Sequence, residues 1–376
     1  MAQMSVVMTT INPAATIRDY ATEIDSSGHD GEIVVIGDRK GDAELAAFCA
    51  DLRSGGLPVR HVGVAEQVEL MARFPRLRPH LRWNSIQRRN LGYLLAAESG
   101  ADVVVSVDDD NVPVAGAYLA HHAIVGSTGT WRAARSSSGW YNVAEMLENE
   151  PSVVVRHRGF PLDRAASGAG SVEWIEADGR VAVNAGLWTG DPDIDAVTRI
   201  AVAPKTLAVR SPHDRQPFVL HPSTWCPFNS QNTAFLGEAI PACFLWNMQE
   251  PIGRTDVIDR YDDIFMSYFA RRTVDAMGDL VAYGPPVVVQ ARNDHDLLVD
   301  LVGETPGMRI TGRLVDLLAA VEVHGTTYAE CSRSLADGLQ DTVVRLPDED
   351  RDLQIYLLRS LAAIDGWLDS YKQIRA

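Results

Sequence analysis

Several things are scarce in this chain, and each scarcity excludes something. Cysteine occurs only four times in 376 residues, at Cys49, Cys226, Cys243 and Cys331, far apart and with no C-x-x-C. That spacing offers neither a zinc site nor a disulfide framework, and a reducing cytoplasm is the expected compartment. Positive charge is also short: 34 Lys and Arg face 50 Asp and Glu, a formal net charge of −16. Such a surface does not neutralise phosphates along a nucleic acid, so an anionic ligand has to be held locally, by a metal or by positioned arginines. No apolar run approaches the roughly 18 residues of a membrane span, and the opening MAQMSVVMTTIN lacks the basic start and long apolar core of a signal peptide. G-x-G-x-x-G, a Walker loop and G-x-S-x-G are all missing, which argues against dinucleotide oxidoreductases, P-loop ATPases and serine hydrolases.

Hydrophobic residues make up 46% of the chain, enough for one large domain or two small ones. The first third alternates strand and helix patterns. SVVMTTI reads as a strand ending in a polar loop, and GEIVVIGDRKGD as a second strand with Asp38 and Arg39 at its carboxyl end. DAELAAFCADLRSGG places Leu45, Phe48, Cys49 and Leu52 at helical spacing and stops at a glycine pair. LPVRHVGV is another short strand. WNSIQRRNLGYLLAAESG then reads as a helix burying Ile86, Tyr93, Leu94 and Ala97, leading into VVVSVDDD. Strands alternating with helices predict an α/β fold with a parallel sheet and right-handed crossovers.

Beyond about residue 115 the pattern is irregular, with glycine, serine and proline clusters. GSVEWIEADGRVAV reads as a hairpin, since ADG sits between two alternating runs. DRYDDIFMSYFARRTVDAMG returns to helical spacing through Tyr261, Ile264, Phe265 and Tyr268, with Gly278 as its stop, and DLVAYGPPVVVQARND is a further strand and loop. The end of the chain is helical. Leu353, Leu357, Leu361, Ile364, Leu368 and Tyr371 form a three-four stripe there, either core or an oligomer contact. The expected division is a catalytic domain over residues 1–305 and a C-terminal helical region over 306–376.

The run Val103 to Val107 is short and β-branched, as in a parallel strand buried on both faces, and Asp108, Asp109 and Asp110 fall at its carboxyl end. In open α/β sheets that edge is where ligands bind, and three packed carboxylates repel one another unless a cation or donors compensate them. The D-x-D pattern suits a divalent ion, magnesium or manganese, held against a pyrophosphate. The competing reading is a solvated acidic loop. A second acid pair, Asp262 and Asp263, starts a predicted helix, where the dipole favours carboxylates. Adjacent helical residues point about 100° apart, so one of the two at most is expected to face a site, as general base or as support for a positively charged sugar transition state. Arg88 and Arg89 stand where they can reach phosphate or ribose, with plain surface arginines as the alternative. His295 either completes a metal shell or is a solvated residue between acids.

Several blocks together resemble the reversibly glycosylated polypeptide family, whose plant members include UDP-arabinopyranose mutases and which is built on a GT-A glycosyltransferase fold. The likeness runs through QRRNLGYLLA and VVVSVDDDNVP, RGFPLDR, NAGLWTGDPDIDAVT, FNSQNTAFLGEAIPACF, PIGR and RYDDIF, and YLLRSLAAIDGWLDSYKQI. It implies a GT-A, Rossmann-like nucleotide-sugar-binding mixed sheet flanked by helices, with a C-terminal helical extension. Asp108, Asp109 and Asp110 would be the metal and nucleotide-diphosphate motif, Thr9, Thr10 and Asp38 would hold the nucleoside, and Asp262 and Asp263 would flank the sugar on the acceptor side. Arg164, ending RGFPLDR, would stand where the family carries an arginine that becomes reversibly glycosylated. The chain departs from the family by extra residues, AASGAGSVEWIEADGRVA, after Arg164 and by TDVID before RYDD.

The resulting expectation is a metal-dependent transferase moving a sugar from a nucleotide donor, UDP-linked, to a small-molecule acceptor, with Asp108, Asp110 and His295 toward the metal and Arg164 toward the sugar. A nucleotide-sugar mutase interconverting pyranose and furanose rings is the alternative. A binding subunit, in a homo-oligomer joined through its C-terminal helices, is a third reading.

Overall fold

In the first third every apolar run becomes a strand where the sequence puts it. The computed structural model describes residues 2–166, 170–210 and 217–376. Strands β1 (Met4–Thr9), β2 (Gly31–Ile36), β3 (Val59–Val62) and β4 (Val103–Val107) lie in the order β3-β2-β1-β4, all parallel. Helices α1 (Ala15–Ser27), α2 (Asp42–Ser54), α3 (Val64–Ala72) and α4 (Arg89–Ser99) connect them. Every residue of β4 is buried, because helices cover both faces of a parallel sheet. Gly92 of α4 sits so close to the sheet that a Cβ there would run into Val7 and Ile36. Gly100 ends α4 at φ 78°, the left-handed turn for which glycine carries no steric penalty.

The sheet then changes direction. Strand Asn232–Leu236 runs antiparallel to β4, pairing Asn232 with Val107, and the long strand Val172–Gly190 joins on its other side. β5 (Asn111–Pro113), β6 (Thr128–Ser136), Phe218–Leu220 and Leu280–Gln290 extend this half, and Leu147–Glu150 and Lys205–Val209 pair at its margin. Leu280–Gln290 is parallel to Val172–Gly190 and antiparallel to β5, and Gln290 lies opposite Asn111. That pairing carries the segment after Gln290 to the Asp triplet. The result is a mixed α/β sheet flanked by helices with a helical C-terminal extension, as expected.

One local expectation is corrected. GSVEWIEADGRVAV does not fold back on itself: it belongs to the single 19-residue strand Val172–Gly190, and its partner is β6, with Gly179 opposite Gly129. The Trp131 indole donates to the Gly179 carbonyl at 3.0 Å, and a Cβ at Gly179 would meet Leu280. The alternating runs on either side of ADG are therefore two stretches of one strand, held straight by a neighbour distant in sequence.

Helix Asp262–Met277 ends at Gly278, φ 73°, where the sequence stops it. Helices Leu297–Ala320, Tyr328–Val343 and Arg351–Arg375 follow, and position 305/306 lies inside the first of them. Leu353, Leu357, Leu361, Ile364, Leu368 and Tyr371 are all buried within the chain. The Trp367 indole donates to the Pro241 carbonyl at 3.0 Å, so the stripe packs onto the body of the fold. Among the described residues no helix is long and apolar enough to cross a membrane.

Candidate active site

The Asp triplet leaves β4 at the carboxyl edge of the parallel strands, and each carboxylate is held differently. Asp108 is gripped by Arg89, the first residue of α4, which is fully buried. The same guanidinium donates to the Ser230 carbonyl and hydroxyl, both at 3.0 Å, and to the Ser106 hydroxyl at 3.3 Å. Asp109 turns back toward β1: Thr10 Oγ1 donates to it at 2.6 Å, and Thr16 Oγ1 donates to its carbonyl at 2.7 Å. Asp110 is held from the far end of the sheet. Its backbone carbonyl accepts from Ala291 N at 2.8 Å, and its carboxylate from Asn293 N at 3.3 Å and Asn111 Nδ2 at 3.0 Å. Burial and then the charge of Asp108 push the Asp110 carboxyl up to about 7, whereas Arg89 opposes the rise that burial gives Asp108.

Asp108 and Asp110 line one wall of a cleft with a volume of about 200 Å³. The acid pair lines the other. Both Asp262 and Asp263 line it, where helical geometry leads one to expect one at most; the two are the first residues of the helix, whose N-terminal end meets the cleft. Their surroundings differ. Asp263 accepts from Arg158 Nη2 at 3.1 Å with both oxygens and from Ser230 N at 3.1 Å. Asp262 is also buried, with no cation paired to it among the described residues. Burial and then the charge of Asp263 push its carboxyl up to about 8. A buried carboxyl in that range is suited to accept a proton near neutral pH.

Sequence reasoning missed three arginines of this cleft. Arg158 is buried and bridges three groups, with Nε on Asp193 Oδ1 at 2.8 Å, Nη2 on Asp263 and Nη1 on the Arg260 carbonyl. Although burial works the other way, Arg158 holds the Asp193 carboxyl well below the usual carboxylate range. Arg260 and Arg292 also line the cleft and are anchored from helix Leu297–Ala320 by Glu304 and Asp300. The available signal was that each lies inside a quoted block, at RGFP, RYDD and ARND. Nothing in those blocks says which of several arginines folds inward.

Other expected residues scatter. Thr10 contacts Asp109, and Thr9 Oγ1 is buried with no hydrogen-bond partner. Asp38 is buried at the end of β2, accepting from Arg39 N at 2.7 Å and Ser85 N at 3.2 Å. Arg88 does not point at the triplet: it donates to Gln67 Oε1 at 2.8 and 2.5 Å and stacks over Trp83, 3.7 Å from the ring centroid. Burial lowers it to about 10. His295 lines the cleft, with Nδ1 3.3 Å from Asp300 Oδ1, and burial and Arg292 lower its pKa. Arg164 is not among the cleft's lining residues. It stands on the short helix Leu162–Ala166 and pairs with Asp316 at 2.6 Å, because helix Leu297–Ala320 passes beside it. Among the described residues, no group of three or more His, Cys, Asp or Glu is arranged as a ready metal site.

No family model matches the chain, and no curated protein matches it. Among solved structures it is similar to the mannosyltransferase PcManGT from Pyrobaculum calidifontis in complex with GDP-Man and Mn2+, at 15% identity and a TM-score of 0.39, covering 99% of this chain and 86% of that one. It is also similar to glucosyl-3-phosphoglycerate synthase from Mycobacterium tuberculosis in complex with Mn2+, UDP and phosphoglyceric acid, at 13% identity and a TM-score of 0.41, covering 83% and 78%. Likeness at this level carries no argument about what this chain does.

Proposed function

We propose that the chain is a metal-dependent glycosyltransferase of GT-A type, which takes a sugar from a nucleotide donor, UDP-linked, and passes it to a small-molecule acceptor. The observation that carries this reading is the single cleft at the carboxyl edge of the parallel strands, with Asp108 and Asp110 on one wall and Asp262 and Asp263 on the other. The donor set fits a hard divalent ion, manganese or magnesium: two crowded carboxylates, one of them pushed up to about 7 by burial and its neighbour. Asp108 and Asp110 would hold the ion, with His295 on the same cleft. When bound, it neutralises charge on the departing nucleotide diphosphate.

The chain's own residues divide the remaining work. Asp262 accepts the proton of the acceptor hydroxyl. Asp263, neutralised by Arg158, supports the sugar side and keeps the first turn of its helix in place. Thr9, Thr10 and Asp38 line the approach to the nucleoside, and Asp109 ties the triplet to β1 through Thr10. The proposed division remains a catalytic domain over residues 1–305 and a C-terminal helical region over 306–376; Asp300 and Glu304, which anchor two of the cleft's arginines, fall on the catalytic side of helix Leu297–Ala320.

The finer mutase reading rests on the resemblance to the reversibly glycosylated polypeptides. The position matched to their arginine, Arg164, is engaged by Asp316. Incubation with manganese and a panel of nucleotide sugars, without acceptor, separates the two by chromatography. Slow release of free UDP is expected. A peak of unchanged mass and new retention would establish ring isomerisation instead, and binding without either product would leave a binding subunit.

A further inference from the structure

Three arginines line the cleft, and their hydrogen-bonding capacity is not equally used. Arg158 has Nε on Asp193, Nη2 on Asp263 and Nη1 on the Arg260 carbonyl, so its fork is fully committed to the fold. Arg260 and Arg292 share the Asp300 carboxylate, which also faces His295, and Arg260 gives its Nε to Glu304 at 2.9 Å as well, so Arg292 is the least engaged of the three. Arg292 gives Nη2 to it, at 2.8 Å, and its buried Nε has no acceptor among the described residues. A buried donor of this kind is costly unless a water or ligand oxygen supplies the missing acceptor. Crowding points the same way: burial, Arg199 and Arg260 lower the Arg292 pKa against the opposing charges of Asp193 and Asp300, and an added anion would favour the charged guanidinium.

Two further features place this pair beside the reacting groups. Arg260 is two residues before Asp262 and is held at φ 63°, a left-handed conformation that side-chain-bearing residues rarely adopt and that recurs at ligand sites. Gln290, the last residue of its strand, lines the same cleft with a buried Oε1 that lacks a donor. The cleft therefore has an unmet cationic donor and an unmet neutral acceptor on the walls around Asp262.

Building on the glycosyl-transfer reading of this cleft, we propose that the acceptor is a small hydroxyl-bearing anion, a phosphate ester or a carboxylate. Its negative group is held by Arg260 and Arg292, and its hydroxyl is presented to Asp262. The transfer balances simply: the acceptor oxygen forms the new bond to the anomeric carbon, the bond from that carbon to the nucleotide diphosphate breaks, and the hydroxyl proton passes to Asp262.

The test uses the full chain saturated with UDP and manganese, titrated calorimetrically with inorganic phosphate and separately with glycerate. Binding of at least one is expected, weakened about tenfold or more in Arg292→Gln and in Arg260→Gln, as loss of a charge-assisted hydrogen bond predicts, with UDP affinity within about twofold of wild type. Whichever ion binds identifies the anionic group. In turnover, glycerol 3-phosphate or glycerate is expected to accelerate UDP release from the active donor, and glycerol not to. Failure of both ions to bind the UDP-loaded protein overturns the proposal. So does a loss of UDP affinity that parallels the loss of phosphate affinity, since the arginines would then serve the donor diphosphate. If UDP itself does not bind while arginine-dependent phosphate binding persists, the donor reading falls and the anion subsite stands. Thermal unfolding identifies a misfolded variant, and the two substitutions on separate elements provide independent comparisons.

Discussion

The two walls of the cleft are built on different principles. On the wall at the end of β4, near neighbours hold Asp108 and Asp109 through Arg89, Thr10 and Thr16, and Asp110 alone is held from a distant segment, by Ala291 and Asn293. On the opposite wall, side chains from distant segments are locked by buried charge pairs: Arg158 to Asp193 and Asp263, Arg260 to Glu304, Arg292 to Asp300. The first wall rests mostly on hydrogen bonds around one buried ion pair, Arg89 with Asp108, and the second on a network of such pairs. The consequence is clearest within Asp262 and Asp263, adjacent residues of identical type. One has its charge compensated by a guanidinium, and the other is left to hold a proton.

The comparison breaks most sharply at Asp262. Asp262→Asn is expected to lower turnover roughly a hundred- to ten-thousand-fold with nucleotide binding unchanged, the effect of removing a general base. With the Asp262 carboxyl near 8, the wild-type rate should climb as pH rises toward 8 and level off above it, and a rate flat between pH 6 and 9 would remove Asp262 from that role. The linkage has the opposite sign for stability. Asp262 binds its proton more tightly folded than unfolded, so its contribution falls as pH rises from the usual carboxylate range toward 8.

Arg158→Met tests the electrostatic wall from the other side. It strands Asp193 and Asp263, and urea unfolding should report a loss of about 3–5 kcal/mol, typical of breaking a buried pair. Asp110→Ala addresses the strand-built wall: UDP affinity should lose about tenfold or more of its manganese dependence. A manganese enhancement of UDP binding as large in that variant as in the wild type would refute the metal assignment. The smallest effect is expected at Arg164→Ala. Its pair with Asp316 is partly exposed, so stability should change by less than about 1 kcal/mol and turnover little. A collapse of turnover there would revive the arginine-linked mutase reading.

The same contrast explains what the sequence reveals. Apolar runs bounded by glycine and polar residues specify β1 to β4, the helices between them and the position of the Asp triplet, because those features are set within a few residues. The stripe from Leu353 to Tyr371 was equally legible as a face, and only packing showed that the chain's own body covers it. Arg158 and Arg292 were not legible as site residues. Their inward orientation depends on Asp193 and Asp300, which local patterning does not connect to them. The strand Val172–Gly190 was misread as a hairpin for a related reason, since β6, which keeps it extended, is supplied from elsewhere in the chain.

The hold on Asp110 has a consequence in time. Asn293, whose amide reaches its carboxylate, lies 183 residues further along, and Ala291 fixes its backbone from the same segment. During synthesis, β1 to β4 can emerge and begin to pair long before that segment exists, while the triplet still lacks its last restraint. The ribosome must deliver about three quarters of the chain before the cleft can close, so an early-terminated product would have the start of the sheet and an unfinished catalytic centre.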